Sequence, residues 1–154
     1  MNSKFNKFPF IEMPDSKQCY DGWDKIKGQI TQNLQQIKGP NKLVVIEYYH
    51  GVNESEFFKN FIETLNADMA ISSESAMLNE GIIEQLVFPD VTDDRVFGYM
   101  SRLELKDYFD QEKLTRIKEQ IKKQDGLVVV YGIGATLLCD EWDLLIYADM
   151  ARWE

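Results

Sequence analysis

Residues 43–65, LVVIEYYHGVNESEFFKNFIETL, constrain the fold more than any other stretch of the chain. The run Leu43-Val44-Val45-Ile46 is apolar and rich in β-branched residues, which predicts a strand buried on both faces, as in a parallel sheet. His50-Gly51-Val52-Asn53 makes a polar turn with one glycine. Phe57, Phe58, Phe61, Ile62 and Leu65 then recur at helical spacing and predict an amphipathic helix. Strand, tight loop and helix is where α/β proteins seat anionic ligands, because the first N–H groups of a helix lack partners and carry partial positive charge.

The same alternation runs through the chain. Trp23, Ile26, Ile30, Leu34 and Ile37 predict a helix that Gly39-Pro40 stops. Asp68-Met69-Ala70-Ile71 reads as a short strand towards a sheet edge. Residues 72–79 are polar, and Leu78, Ile82, Ile83 and Leu86 predict a short helix ending before Pro89. Asp90 to Asp94 reads as an exposed loop; three acids so close together do not make a hard-cation site, which draws its ligands from several elements. Residues 95–109 are the least regular. They form either a lid carrying Arg95, Arg102 and Lys106, or a surface excursion whose Phe97, Tyr99, Tyr108 and Phe109 cover the sheet. Asp110 is placed to cap a helix reaching Lys123, with Leu114, Ile117 and Ile121 facing inwards. Leu127 to Tyr131 and Leu144 to Ala148 read as two further buried strands.

Apolar strands alternating with amphipathic helices predict an α/β fold of three layers, a mostly parallel sheet with helices on both faces. Neither a repeat nor an internal linker divides the chain, so residues 21–154 are expected to form a single α/β domain. Residues 1–20, with Phe5, Phe8, Phe10 and Ile11 set among prolines, are expected to be an aromatic arm. Asp149 to Glu154 stand where a further helix should begin, and the expectation is a piece of a longer protein.

Composition narrows the function. The 154 residues suffice for one core, and a hydrophobic content of 44% predicts a folded chain. The net charge of −9 argues against binding nucleic acid or an anionic membrane, since both need clustered cations. The N-terminal residues contain no apolar stretch of export or membrane-spanning length, and the expected location is cytoplasmic. Cys19 and Cys139 read as free thiols. One histidine and two separated cysteines do not compose a zinc site of the usual kind.

A phosphate loop of the Walker A type needs glycines, a lysine and a hydroxyl at fixed spacing. The equivalent stretch, Tyr49 to Phe57, keeps one glycine, has no lysine and places acids near the lysine position. Asn53 and Glu56 instead match a capping box, in which N-cap and N3 side chains close the helix's own N–H groups. Glu54 and Glu56 each gain roughly 0.3–1 kcal/mol from the helix dipole. Each would repel a bound phosphate by about 4 kcal/mol per charge pair at an effective dielectric near 20. The loop therefore opposes nucleotide triphosphates. Gly132-Ile133-Gly134 begins like a dinucleotide fingerprint, but Leu137 holds the third glycine position and the next strand follows too soon for a full crossover helix, so a structural turn is expected. His50 lies in a loop with no nucleophile pattern beside it.

Several stretches carry a family resemblance. The strand and loop at 43–57, the lid-like segment near 93–109, VVVYGIGATLL and DLLIYADMARWE together resemble the uridine-kinase-like branch of P-loop kinases. KFPFIEM, GWDKI, VVIEYYHGVNESEF, DDRVFGYMSRLELKDYFD, YGIGATLL and YADMARWE are similar to the N-terminal region of long bacterial class I mannose-6-phosphate isomerases. In those proteins a kinase-like domain with a worn phosphate loop precedes a cupin-type isomerase domain that carries zinc. The resemblance implies that His50, Gly51, Val52, Asn53, Glu54 and Ser55 are the loop remnant. It implies that Arg95 and Arg102 are lid cations and that Gly132 and Gly134 frame the same cleft. It assigns no cofactor to this domain, zinc to the cupin domain, and no catalytic or metal-binding residue here.

Three functions follow as expectations. The first is an accessory, non-catalytic domain of a mannose-6-phosphate isomerase-type protein, partnered by its cupin domain and open to a nucleotide or sugar phosphate. The second is an active small-molecule phosphotransferase in which Arg95, Arg102 or Lys106 replaces the loop lysine and Glu47 or Asp149 serves as base or Mg²⁺ ligand. The third is an oligomerisation module using the aromatic arm.

Overall fold

The computed structural model describes residues 19–150. The arm expected at 1–20 therefore lies outside the described residues except for its last two, as does the end of the chain from Ala151. The element order is α1 (Trp23–Gln36), β1 (Lys42–Tyr48), α2 (Glu54–Phe57), β2 (Met69–Ser72), α3 (Glu80–Val91), α4 (Gln111–Lys123), β3 (Leu127–Gly132) and β4 (Leu144–Ala148). The four strands are parallel and lie in the order β2-β3-β1-β4, with Val45 opposite Val130 and Tyr48 opposite Ala148. The fold is thus α/β, and the apolar runs of β1 and β3 are its two central strands.

Alternate side chains of those strands build two cores. Val45, Val128 and Val130 face α4, Phe109 and the 3₁₀ turn Ala135–Leu138. Val44, Ile46 and Val129 face Leu34 of α1 and the pair Phe61 and Ile62. Each of these fully buried aliphatic side chains contributes roughly 1.5–3 kcal/mol relative to exposure. The path from β1 to β2 moves one way across the sheet over the second face. The paths from β2 to β3 and from β3 to β4 move the other way over the first face. Opposite directions on opposite faces have the same hand, as expected for parallel crossovers. A dinucleotide-binding sheet keeps its first strand beside its second; here β1 lies between β3 and β4.

Helix α4 forms as its sequence predicts: Asp110 Oδ1 accepts from the N–H groups of Glu112 at 2.9 Å and Lys113 at 3.1 Å. Lys118 and Lys122 on its outer side hold Asp140 at 2.7 and 2.9 Å. Their hydrogen bonds and charge pull the Asp140 carboxyl down to about 2.

Other elements correct the sequence expectations. The helix after β1 begins at Glu54, as the expected cap at Asn53 requires, but it widens to π geometry over Phe58–Ile62 and tightens to 3₁₀ over Glu63–Leu65. Along it, Phe57 packs edge-on against Trp23 and Tyr48 with ring centroids 5.4 and 5.2 Å apart, while Phe58 meets Tyr131 at 5.6 Å. Helix α3 does not stop before Pro89 but runs through it to Val91. The hydrogen bond that proline removes falls near the helix end, where Thr92 N–H donates to the Phe88 carbonyl at 2.8 Å and closes the last turn. Phe97 and Tyr99 do not cover the sheet and remain exposed, whereas Phe109 is buried. The segment after α3 folds back on that helix instead, with Tyr99 N–H donating to Asp90 O and Thr92 Oγ1 to Phe97 O. Strand β4, expected to be buried, is an edge strand among the described residues, with Leu145 and Tyr147 exposed.

Candidate functional site

The carboxyl ends of β1, β2 and β3 converge where open parallel sheets bind ligands. Glu47, on the penultimate position of β1, points towards the turn that follows β3. One of its carboxylate oxygens accepts the Gly134 N–H; the other accepts the Thr136 N–H at 2.9 Å and the Thr136 hydroxyl at 3.0 Å. The 3₁₀ turn Ala135–Leu138 has no cap from its own N-cap residue, Gly134. Glu47 supplies that cap from the neighbouring strand. Three accepted hydrogen bonds engage both oxygens, which places Glu47 as a brace rather than a free base.

The loop after β1 is closed differently. Asn53 Oδ1 accepts the Glu56 N–H at 3.2 Å, and the Asn53 carbonyl accepts Phe57 N–H at 2.9 Å. The Glu56 carboxylate meets the Asn53 side-chain amide at 3.5 Å rather than its backbone N–H. The expected capping box is thus half formed: the N-cap bond is made and the return bond goes to the side chain. Tyr49 N–H is held by the Ala148 carbonyl and Val52 N–H by the Tyr49 carbonyl, so these amides are not presented to a ligand.

The residues of the loop remnant are divided between two cavities. Gly51, Val52 and Asn53 line a mainly apolar hollow of about 550 Å³ beside β4, together with Asp149 and residues of α1. His50 and Glu54 line a second cavity of about 320 Å³ at the ends of β2 and β3. Ser55 is exposed and lines neither. The smaller cavity has Ser73, Gly132 and Ile133 at its base, Met77, Leu105 and Tyr108 as walls, and the exposed side chains of His50, Glu54 and Glu74 at its mouth. Gly132 is needed there because the Ser73 hydroxyl lies where a Cβ would stand.

The lid cations do not arrive. Arg95 lines a different surface hollow, formed by residues between 87 and 101 together with Tyr108. Arg102 lines none of these three cavities. Lys106 pairs with Glu104 at 2.6 Å, and that bond raises its pKa. Among the described residues, no lysine or arginine lines either cavity at the sheet's carboxyl end.

The field at the smaller cavity is negative. Partial burial, and then the charge of Glu74, hold the Glu54 carboxyl above the usual carboxylate range. Burial raises the Tyr131 phenol, and the charges of Glu74 and Glu54 add to it. Tyr48 is raised strongly by burial, with Glu54 contributing, and its hydroxyl is buried with no hydrogen-bond partner among the described residues. Cys139 is pushed up to about 11 by burial and is unreactive as a nucleophile at neutral pH. Among the described residues no group of three His, Cys, Asp or Glu side chains is placed to hold a metal ion, and no helix is long and apolar enough to cross a membrane.

A family model, Domain of unknown function (DUF8485), matches residues 22–154. The chain belongs to that family. No curated protein and no solved structure matches the chain. The structure of this DUF8485 domain brings Ser73 and Glu74 into its site, and sequence reasoning passed over both. The available signal was a polar SSES cluster directly after an apolar strand, since the residue that follows a parallel strand lies at the ligand-binding edge of the sheet.

Proposed function

We propose that this DUF8485 domain is an accessory, non-catalytic domain of a mannose-6-phosphate isomerase-type protein, on a kinase-like α/β scaffold whose phosphate loop no longer holds phosphate. The observation that supports the loss of phosphate transfer is that, among the described residues, no lysine or arginine lines either cavity at the sheet's carboxyl end. Phosphoryl transfer depends almost wholly on positioning and on cations that neutralise the phosphate oxygens. Acids stand here instead: Glu54 and Glu74 at one cavity, Glu56 and Asp149 at the other. Glu47, the candidate base, is engaged in bracing the turn after β3.

An accessory domain also needs a surface for its neighbour. Helix α3 buries none of its residues, and Phe88, Val91, Val96, Phe97, Tyr99 and Met100 leave apolar surface uncovered beside it. Uncovered apolar surface of this kind marks contact with another protein surface. In this reading the neighbour is the cupin-type isomerase domain of the same protein, and zinc belongs to that domain.

Thermal unfolding with and without millimolar Mg-ATP, Mg-GTP and mannose 6-phosphate tests the proposal. A ligand at 100 times its dissociation constant stabilises a fold by about 2.7 kcal/mol, several degrees for a domain of this size. No shift with either nucleotide is expected. A nucleotide shift accompanied by release of ADP or GDP would establish the phosphotransferase instead.

A further inference from the structure

We infer that the 320 Å³ cavity at the ends of β2 and β3 binds a small organic cation, an amine carrying a short apolar group. The inference rests on reading the domain as a binding module rather than a phosphotransferase, and it is independent of the isomerase resemblance. Three observations lead to it.

The first is uncompensated charge. Glu54 and Glu74 share the mouth of the cavity, and neither makes an ion pair or side-chain hydrogen bond among the described residues. Partial burial, with the charge of Glu74 adding to it, raises the Glu54 carboxyl. An ammonium group between the two carboxylates would be attracted by both, and no side chain among the described residues lining the cavity offers one.

The second is an unused polar group inside. Ser73 is 1% exposed, its hydroxyl lies against Gly132 in the base of the cavity, and it forms no hydrogen bond among the described residues. Buried hydroxyls are nearly always paired. This one belongs to a residue that lines the cavity, where it can accept from a ligand's N–H.

The third is the remaining lining. Met77, Leu105 and Ile133 are apolar and Tyr108 is aromatic, which suits an alkyl or aryl group and offers an aromatic surface to a cation. At about 320 Å³ the cavity is at the small end of the range for ligand sites. A phosphate or carboxylate ligand would meet two acids against one histidine, with no lysine or arginine among the described lining residues, and is disfavoured on charge.

Isothermal titration calorimetry of the 154-residue chain with phenethylamine, cyclohexylamine and putrescine, against 2-phenylethanol and cyclohexanol, tests the inference. The amines are expected to bind saturably at one site, and the alcohols not to bind. Glu54→Gln and Glu74→Gln should each weaken the amines about three- to tenfold, the range for a charged hydrogen bond discounted for exposure. Ser73→Ala should weaken them by a smaller factor. Glu54→Gln removes a carboxylate that folding disfavours, so it should fold at least as well as the parent and keep the test decisive. Absence of amine binding, equal binding of the alcohols, or amine binding unchanged in both glutamine variants would overturn the inference. Binding of Mg-ATP or Mg-GTP, titrated separately into the same chain, would instead overturn the accessory reading.

Discussion

Two turns leave the centre of this sheet, one after β1 and one after β3, and both use an acceptor side chain to close N–H groups at the start of a helical turn. After β1 the acceptor is local: Asn53 caps Glu56 three residues on. After β3 it is remote: Glu47 reaches from the adjacent strand to Gly134 and Thr136, 87 and 89 residues away. The surroundings differ as well. A Cβ on Gly51 would meet the flexible end of Met150 at 2.7 Å, while one on Gly134 would meet the ring of the buried Phe109 at the same distance. The first turn is an adjustable surface loop. The second is a joint between two strands and a core aromatic, and its Gly132 and Ile133 form the base of the acid-mouthed cavity, to whose mouth the first contributes His50 and Glu54.

Substitutions can break or sharpen this contrast. Gly134→Ala should cost most, about 3 kcal/mol, combining the left-handed backbone penalty with overpacking against Phe109. Gly51→Ala should cost about 1–2 kcal/mol, the backbone penalty with a methionine that can move aside. Equal midpoints for the two in urea unfolding would remove the distinction. Glu47→Ala should cost about 2 kcal/mol by leaving part-buried N–H groups unpaired, and Glu47→Gln less, since its amide oxygen still accepts one bond. Asn53→Ala should cost about 1 kcal/mol, the usual loss of a helix cap. If Asn53→Ala proved costlier than Glu47→Ala, the remote brace would not be the stronger closure.

The smallest effect has the opposite sign. Because the Glu54 carboxyl is raised in the fold, its charged form is disfavoured there. The penalty is present above the folded pKa and disappears as pH falls below the ordinary carboxylate value. Glu54→Gln should therefore stabilise the domain slightly at pH 7, by less than about 0.5 kcal/mol as for most surface changes, and not at all near pH 3. Paired melts at the two pH values read the difference. A stabilisation that persisted undiminished at pH 3 would separate it from charge.

Much of the fold was legible from local pattern. The β-branched runs at 43–46 and 127–131 announced the two central strands, the periodic residues 23–37 and 110–123 announced α1 and α4, and Asp110 and Asn53 announced the caps of α4 and α2. Each of these depends on residues within one or two turns of each other, where spacing dictates which face a side chain takes. Less local features were misread. Helix α3 passes through Pro89 because the following segment folds back onto its end, and Phe97 and Tyr99 stay outside for the same reason.

The chain's own residues therefore determined an α/β domain with a parallel core and a capped, acid-bearing loop after β1, since burial pattern, helix capping and charge all act over short sequence distances. Only the tertiary structure decided the strand order, the edge position of β4, the engagement of Glu47, and the meeting of Glu54, Ser73 and Glu74 around one cavity. Those outcomes join residues far apart in the chain, and they follow from which strands pair and which helices cover them, a choice made by the packing of the whole sheet rather than by any segment of it.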